Sequence, residues 1–443
     1  MNLSKIIPAK IFPILLVNFI GILGYSIVIP ILIFIVTDYG GNGFIYGILG
    51  AMYPFFQFIG APILGKLSDK IGRKRVLVIS QLGTFVAWTL FLLAFLLPET
   101  ALWSQGNAFT GKYTMTLPLL IIFIARIFDG FTGGNVSVAN AYLSDISTDE
   151  DRNTNFGKMG ASTSLGFVLG PAVAGILAST ILGEALPLLL AAVISLVAIF
   201  VINTKLEESN PCTVDTGTLK LKSFRRFFQV EHRNCYDIKE EKEAKKNSWR
   251  NILAIKDIPL LYAVYFLTFL AFSLFYAGLP IYANTLLGWA ATDLGIFLAY
   301  SSLIMILAQG PLLTKLSKVV SNEALILFGS LLLAMGFYLL SSNNDSTIYL
   351  ANTIFSIGNG IMWPSFLALL SSKGTKQNQG AIQGYGNSMG SIASMLGLIL
   401  GGVLFESVAT TVFVIGALVF LAITLLMAGR FLQRNKVQPV THS

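Results

Sequence analysis

Apolar residues are not scattered along this chain but gathered into twelve long runs separated by polar breaks, at roughly 10–36, 44–64, 76–97, 117–144, 158–182, 187–203, 259–285, 293–313, 323–341, 348–371, 381–404 and 411–429. A helix needs about 20 predominantly apolar residues to cross a bilayer, so each run is long enough to span one. Inside hydrocarbon the backbone must satisfy its own polar groups, which makes each run a helix. The pattern predicts an all-α membrane protein of twelve transmembrane helices. One long polar interruption divides them six and six: an N-terminal bundle over 1–203, a central loop over 204–258, and a C-terminal bundle with a short tail over 259–443.

Composition agrees, since 54% of the 443 residues are hydrophobic and only 12% charged, too few to coat a soluble globule. The net charge of +8 does not point to nucleic acid, because the cations lie between apolar runs and not on a soluble basic face. They set topology instead. An even number of spans puts both termini on one side, and 28 of the 30 Lys and Arg residues fall on that side. Of the others, Lys112 lies opposite and Arg126 is inside a run. The positive-inside rule therefore predicts cytoplasmic termini in the inner (plasma) membrane.

The first run is too long for a signal-peptide core and reads as a span. Cys212 and Cys235 fall in the central loop, expected in the reducing cytosol as free thiols. The stretch Leu221–Phe228 interleaves cations with aromatics and suits an interfacial helix on the anionic inner leaflet, while Glu240–Lys246 reads as a solvated linker. His232 and His442 also fall on the cytoplasmic side, so no histidine relay is expected within the spans. A monomer in contact with lipid, without metal or cofactor, is expected.

The two halves echo each other. Lys66-Leu67-Ser68 recurs as Lys315-Leu316-Ser317, Gly166 and Gly170 recur as Gly397 and Gly401, and Ile127-Phe128-Asp129-Gly130 recurs as Ile357-Gly358-Asn359-Gly360. Three matches in one order argue for duplicated halves that rock around a midplane site.

Between the second and third runs lies Gly65-Lys66-Leu67-Ser68-Asp69-Lys70-Ile71-Gly72-Arg73-Lys74-Arg75. Gly65, Leu67, Asp69, Gly72, Arg73 and Lys74 resemble the signature of the major facilitator superfamily at this place. Glycines permit a tight reversal, while Asp69 can face a helix N-terminus and Arg73 a carboxylate. The resemblance implies a cytoplasmic gate in which Asp69 meets the start of helix 11, around Gly380 to Gln383, and Arg73 meets Asp145.

Helix 4 carries Arg126-Ile127-Phe128-Asp129-Gly130. Arg126 lies nine residues from the outer end of its run, hence about 13 Å deep at helical rise. A charge at the centre of a span costs about 2.5–3.5 kcal/mol and is paired or functional by default. Three positions apart, Arg126 and Asp129 share a face and can neutralise each other. This resembles the helix 4 element of drug/proton antiporters. Asp129 is the one carboxylate read inside a span, so it is the expected proton carrier, with Arg126 tuning it.

Helix 5 contains Gly166, Gly170, Pro171 and Gly175, similar to the signature that marks antiport exporters within the superfamily. Glycines four apart admit a neighbouring helix closely. As a whole, the chain looks most like tetracycline/proton exporters. Where those carry acids in helices 1 and 3, this chain has Asn18, Gly21, Tyr25 and Phe85 to Trp88, which argues for a cargo other than a metal chelate. Candidate cavity residues are Tyr25, Gln57, Trp88 and Asn135 in the first half and Tyr276, Gln309, Asn359, Trp363 and Asn387 in the second. Mostly apolar walls with few polar fixtures suit a small amphiphilic molecule. The expected function is proton-coupled export by alternating access. The competing reading is a proton-coupled importer of a siderophore or metabolite; a membrane enzyme lacks a catalytic set.

Overall fold

The computed structural model describes residues 10–107, 110–148, 151–209, 249–342, 344–374 and 379–437, with side chains 152–154, 379–381 and 432–437 left aside. Cys212, Cys235, His232, His442 and both expected features of the central loop lie outside them.

Among the described residues, twelve helices are long and apolar enough to span: α1 (Phe12–Asp38), α2 (Gly43–Ile71), α3 (Arg73–Ala94), α4 (Leu117–Ile146), α5 (Asn155–Ala178), α6 (Ala185–Lys205), α7 (Ile258–Thr285), α8 (Ala291–Leu316), α9 (Asn322–Leu339), α10 (Asp345–Ser371), α11 (Ile382–Val408) and α12 (Thr411–Phe431). Successive helices run in opposite directions, so the protein has a face bearing the basic 65–75 segment and an opposite face. Helix α1 breaks after Val28 and resumes at Leu32, where Pro30 removes a backbone donor. Near its basic end α8 loosens into a π turn at Ala308–Leu312, around Pro311.

Two features depart from the expected outline. Residues 65–71 are not a loop: α2 runs unbroken to Ile71, and the reversal takes place at Gly72 alone, with φ 105°. Gly65 therefore makes no turn. It sits inside α2, where a Cβ would stand 3.6 Å from Ser137 Oγ. Between α3 and α4 an antiparallel hairpin, β1 (Ala101–Asn107) and β2 (Gly111–Thr116), stands on the opposite face. It is tied down by Thr114 N–H donating to Gly40 O (2.8 Å) and Thr116 Oγ to Tyr39 O (2.8 Å).

The halves meet along two helix crossings, α2 on α11 and α5 on α8. Both rely on missing side chains: a Cβ on Gly47 would strike the Leu398 carbonyl and Gly402, and Gly175 lies backbone to backbone on Gly295.

Candidate functional site

On the basic face, Arg73 opens α3 and gathers the acids around it. Its guanidinium pairs with Asp69 one helical turn back, reaches Asp145 at the end of α4 (3.2 Å) and donates to Ser68 Oγ (2.6 Å). A planar fork suits such shared recognition better than a point charge. Lys74 Nζ donates to Asn203 O (2.9 Å). Sequence reasoning missed Glu208, whose carboxylate accepts the Arg73 and Lys74 backbone N–H groups (2.7 and 3.2 Å) and so caps the start of α3. It also missed Ser209, which donates to Asp145 (3.0 Å). Neither belongs to the motif, and only their position after the sixth run hints at them. The expected partner of Asp69 at the start of helix 11 lies partly outside the described side chains.

At mid-height of the first half, Arg126 and Asp129 are almost fully buried, 2% and 3% exposed, with Arg126 Nη1 3.4 Å from Asp129 Oδ2. The guanidinium also lies 6.0 Å from the Trp88 ring centre and 5.7 Å from that of Phe91. The two aromatic rings add cation–π stabilisation to the buried guanidinium. Arg126 Nε and Trp88 Nε1 have no hydrogen-bond partner among the described residues. Asp129 borders a narrow cleft, with about 40 Å³ of free space, that α1, α2, α3, α4 and α6 enclose.

Of the expected cavity residues, the structure brings Tyr25, Trp88 and Asn135 to this cleft together with Asp129; it adds Asn18, Tyr53, Gln81 and Thr84. Tyr53 stacks on Tyr25 at 4.2 Å. Its place one helical turn from Gln57 was the only sequence signal for it. Gln57 stays beside the cleft, donating to Gly133 O (3.0 Å) and Tyr53 Oη (3.3 Å). The second-half candidates are not among the lining. Asn359 meets Met305 (3.3 Å), Asn387 accepts from Tyr265 Oη (2.8 Å), and Trp363 packs edge-on against the stacked rings of Tyr265 and Phe269. Tyr276 offers its carbonyl to Tyr46, and Gln309 lies in the π turn of α8.

The glycines of α5 seat it on two helices. A Cβ on Gly166 would lie 2.8 Å from Ile22, and one on Gly170 would overlap Ser26, both on α1. Ser26 Oγ donates to Gly166 O (2.8 Å), and Asn18 Nδ2 donates to Ser162 Oγ (2.7 Å) and Thr163 Oγ (2.8 Å). Gly175 then meets α8. The helix continues through Pro171 without a break.

The Major Facilitator Superfamily model matches residues 14–390 and 261–443. The chain belongs to the major facilitator superfamily. It is 27% identical over 406 residues to the tetracycline resistance protein, class C, of Escherichia coli, covering 90% of this chain and 91% of that protein. Multidrug resistance protein 1 of Bacillus subtilis (strain 168) is 26% identical over 405 residues, covering 89% of each. Among solved structures, a D-xylose-proton symporter superposes with a TM-score of 0.68 at 14% identity, covering 94% of this chain and 97% of that one. The human organic anion transporter MFSD10 gives 0.64 at 16% identity, covering 95% and 99%. The chain is thus a superfamily transporter similar to resistance proteins, a multi-pass inner-membrane protein that moves small molecules and is not an enzyme.

Proposed function

We propose that this transporter exports a small amphiphilic organic molecule in exchange for protons by alternating access, with its basic face and both termini in the cytoplasm. The buried Arg126–Asp129 pair at the edge of the cleft carries the reading. A carboxylate there can be neutralised by the neighbouring guanidinium or by a proton, and a cargo that displaces the proton couples the two fluxes. Aromatic walls of Tyr25, Tyr53 and Trp88, with amides at Asn18, Gln81 and Asn135, suit a flat, partly polar molecule. Resistance proteins among the relatives and the α5 glycine seat on α1 favour export. On the basic face, Asp69, Arg73 and Asp145 act as the cytoplasmic gate, with Gly72 making the reversal and Lys74 anchoring α3.

Comparing small molecules retained by cells with and without the chain names the cargo and its direction together. Loss of an exporter raises the intracellular cargo; a fall would make the chain an importer.

A further inference from the structure

On the face opposite the basic loops, three hydrogen bonds among the described residues run between the first half and the second. The Gly43 N–H at the start of α2 donates to Glu406 Oε1 on α11 (2.8 Å). Asn284 Nδ2 at the end of α7 donates to Thr37 Oγ1 at the end of α1 (3.0 Å). Deeper in, the buried Tyr46 Oη donates to the Tyr276 carbonyl (2.9 Å). Glu406 is the charged member. It lies against the positive end of α2, where a carboxylate is favoured by the helix dipole and by an N–H that has no partner within the helix.

Its seat is shaped by neighbours with no side chain to spare. A Cβ on Gly43 would stand 2.9 Å from Glu406 Oε1, and one on Gly111, at the hairpin turn with φ 64°, would stand 2.8 Å from Glu406 Oε2. Asn42 joins the pieces: its Oδ1 caps α2 through Ile45 N–H (3.1 Å), while its Nδ2 donates to Thr110 O of the hairpin (2.6 Å). The duplication gives this position meaning. The offset of 231 residues that aligns Gly166 and Gly170 with Gly397 and Gly401 places Glu406 opposite Gly175. At the two pseudo-equivalent crossings, one half offers a glycine to a glycine and the other a carboxylate to a helix N-terminus.

We propose that Glu406 is a positioning residue of the transport cycle: on the N-terminus of α2, with Tyr46 beneath it and the hairpin above, it latches the extracellular side shut. The inference rests on the alternating-access reading. Removing the charge lowers the cost of opening outward without touching the cleft. Because Glu406 is exposed, the effect is modest, roughly a threefold rise in outward opening, as expected for one charge at a solvated helix end. Tyr46→Phe, which deletes a buried neutral bond, acts in the same direction by about fivefold.

The test uses the full chain with Cys212→Ser and Cys235→Ser and a reporter at Thr84→Cys, which lines the cleft at mid-span. A membrane-impermeant maleimide is applied to whole cells and, separately, to inverted vesicles. Glu406→Gln and Tyr46→Phe should each speed labelling from outside and slow it from the cytoplasmic side. Equal rates in wild type and both variants remove the latch. Faster labelling from both faces shows general loosening and also overturns it. A reporter reached from one face alone in every variant denies alternating access itself, a failure distinct from the other two.

Discussion

Gly175→Ala is the smallest change that should move the whole transporter. Alanine is about 1 kcal/mol better than glycine in a helix interior, so propensity alone would make it stabilising. The new methyl, however, would overlap Gly295 Cα and stand 2.8 Å from its carbonyl carbon and 3.2 Å from Ile296 N. These are backbone atoms of α8, with no rotamer to turn aside. Overpacking of this kind costs about 1–3 kcal/mol, and rigid neighbours place it at the upper end. Separating α5 from α8 relieves the overlap, so the net cost of about 2 kcal/mol falls on the conformation in which these helices touch. That corresponds to about a thirtyfold shift in the conformational ratio toward opening on the face opposite the basic loops. The comparison is Gly160→Ala in the same helix, where a Cβ would meet nothing within 4 Å. Labelling of the Thr84→Cys reporter from outside should rise strongly for Gly175→Ala and stay at the wild-type rate for Gly160→Ala. If both alanines behave alike, the Gly175–Gly295 crossing is not a contact that the transport cycle breaks.

Two further predictions concern the basic face. Arg73→Lys keeps the charge but not the fork that reaches Asp69, Asp145 and Ser68 at once. These groups are partly exposed, so it should weaken cytoplasmic closure by about 1 kcal/mol at most, read as faster cytoplasmic labelling of the same reporter. Before α7, Asp257 accepts from Lys373 (2.8 Å) and Arg430 (3.0 Å). Partial burial would raise its carboxyl, but the Lys373 hydrogen bond and the Arg430 charge outweigh it and hold the group below the usual carboxylate range. A depressed value means stability that is present above the ordinary aspartate range, near pH 4, and lost as pH falls through the folded value. Asp257→Asn should therefore cost about 1 kcal/mol at pH 7. The difference should shrink as pH falls through that folded value in thermal unfolding of purified protein. The backbone at 257 has φ 73°, which asparagine tolerates, so the substitution isolates the charge.

The spans were legible because length and apolarity alone define them. The charges of α4 were legible because an ionisable group so deep in hydrocarbon has to be paired or put to use. Helix ends were less so. Lys66, Asp69 and Lys70 look like a loop in hydropathy, yet charged side chains at a membrane surface leave helical hydrogen bonding intact, and α2 continues through them to Ile71. The hairpin escaped notice because Ala101–Thr116 mixes Ser, Gln, Gly and Lys with aromatics and shows no clean alternation. Cleft residues were half visible. Tyr25, Trp88 and Asn135 stand out as polar or aromatic groups at mid-span, whereas Asn387 and Trp363 look the same in sequence and are engaged in packing. Glu406 fell just past the end of its apolar run. Its importance depends on Gly43, 363 residues away, and no local pattern carries that.

The central claim is that Asp129 couples cargo movement to protons, and it is tested most directly in inverted vesicles with the cargo identified by retention profiling. Two rates are compared for wild type and Asp129→Asn: accumulation driven by an imposed proton gradient, and exchange of labelled for unlabelled cargo with no gradient. The account predicts that Asp129→Asn retains exchange within severalfold of wild type but loses gradient-driven accumulation. Undiminished accumulation in Asp129→Asn would contradict it and leave the Arg126–Asp129 pair a structural tie within α4.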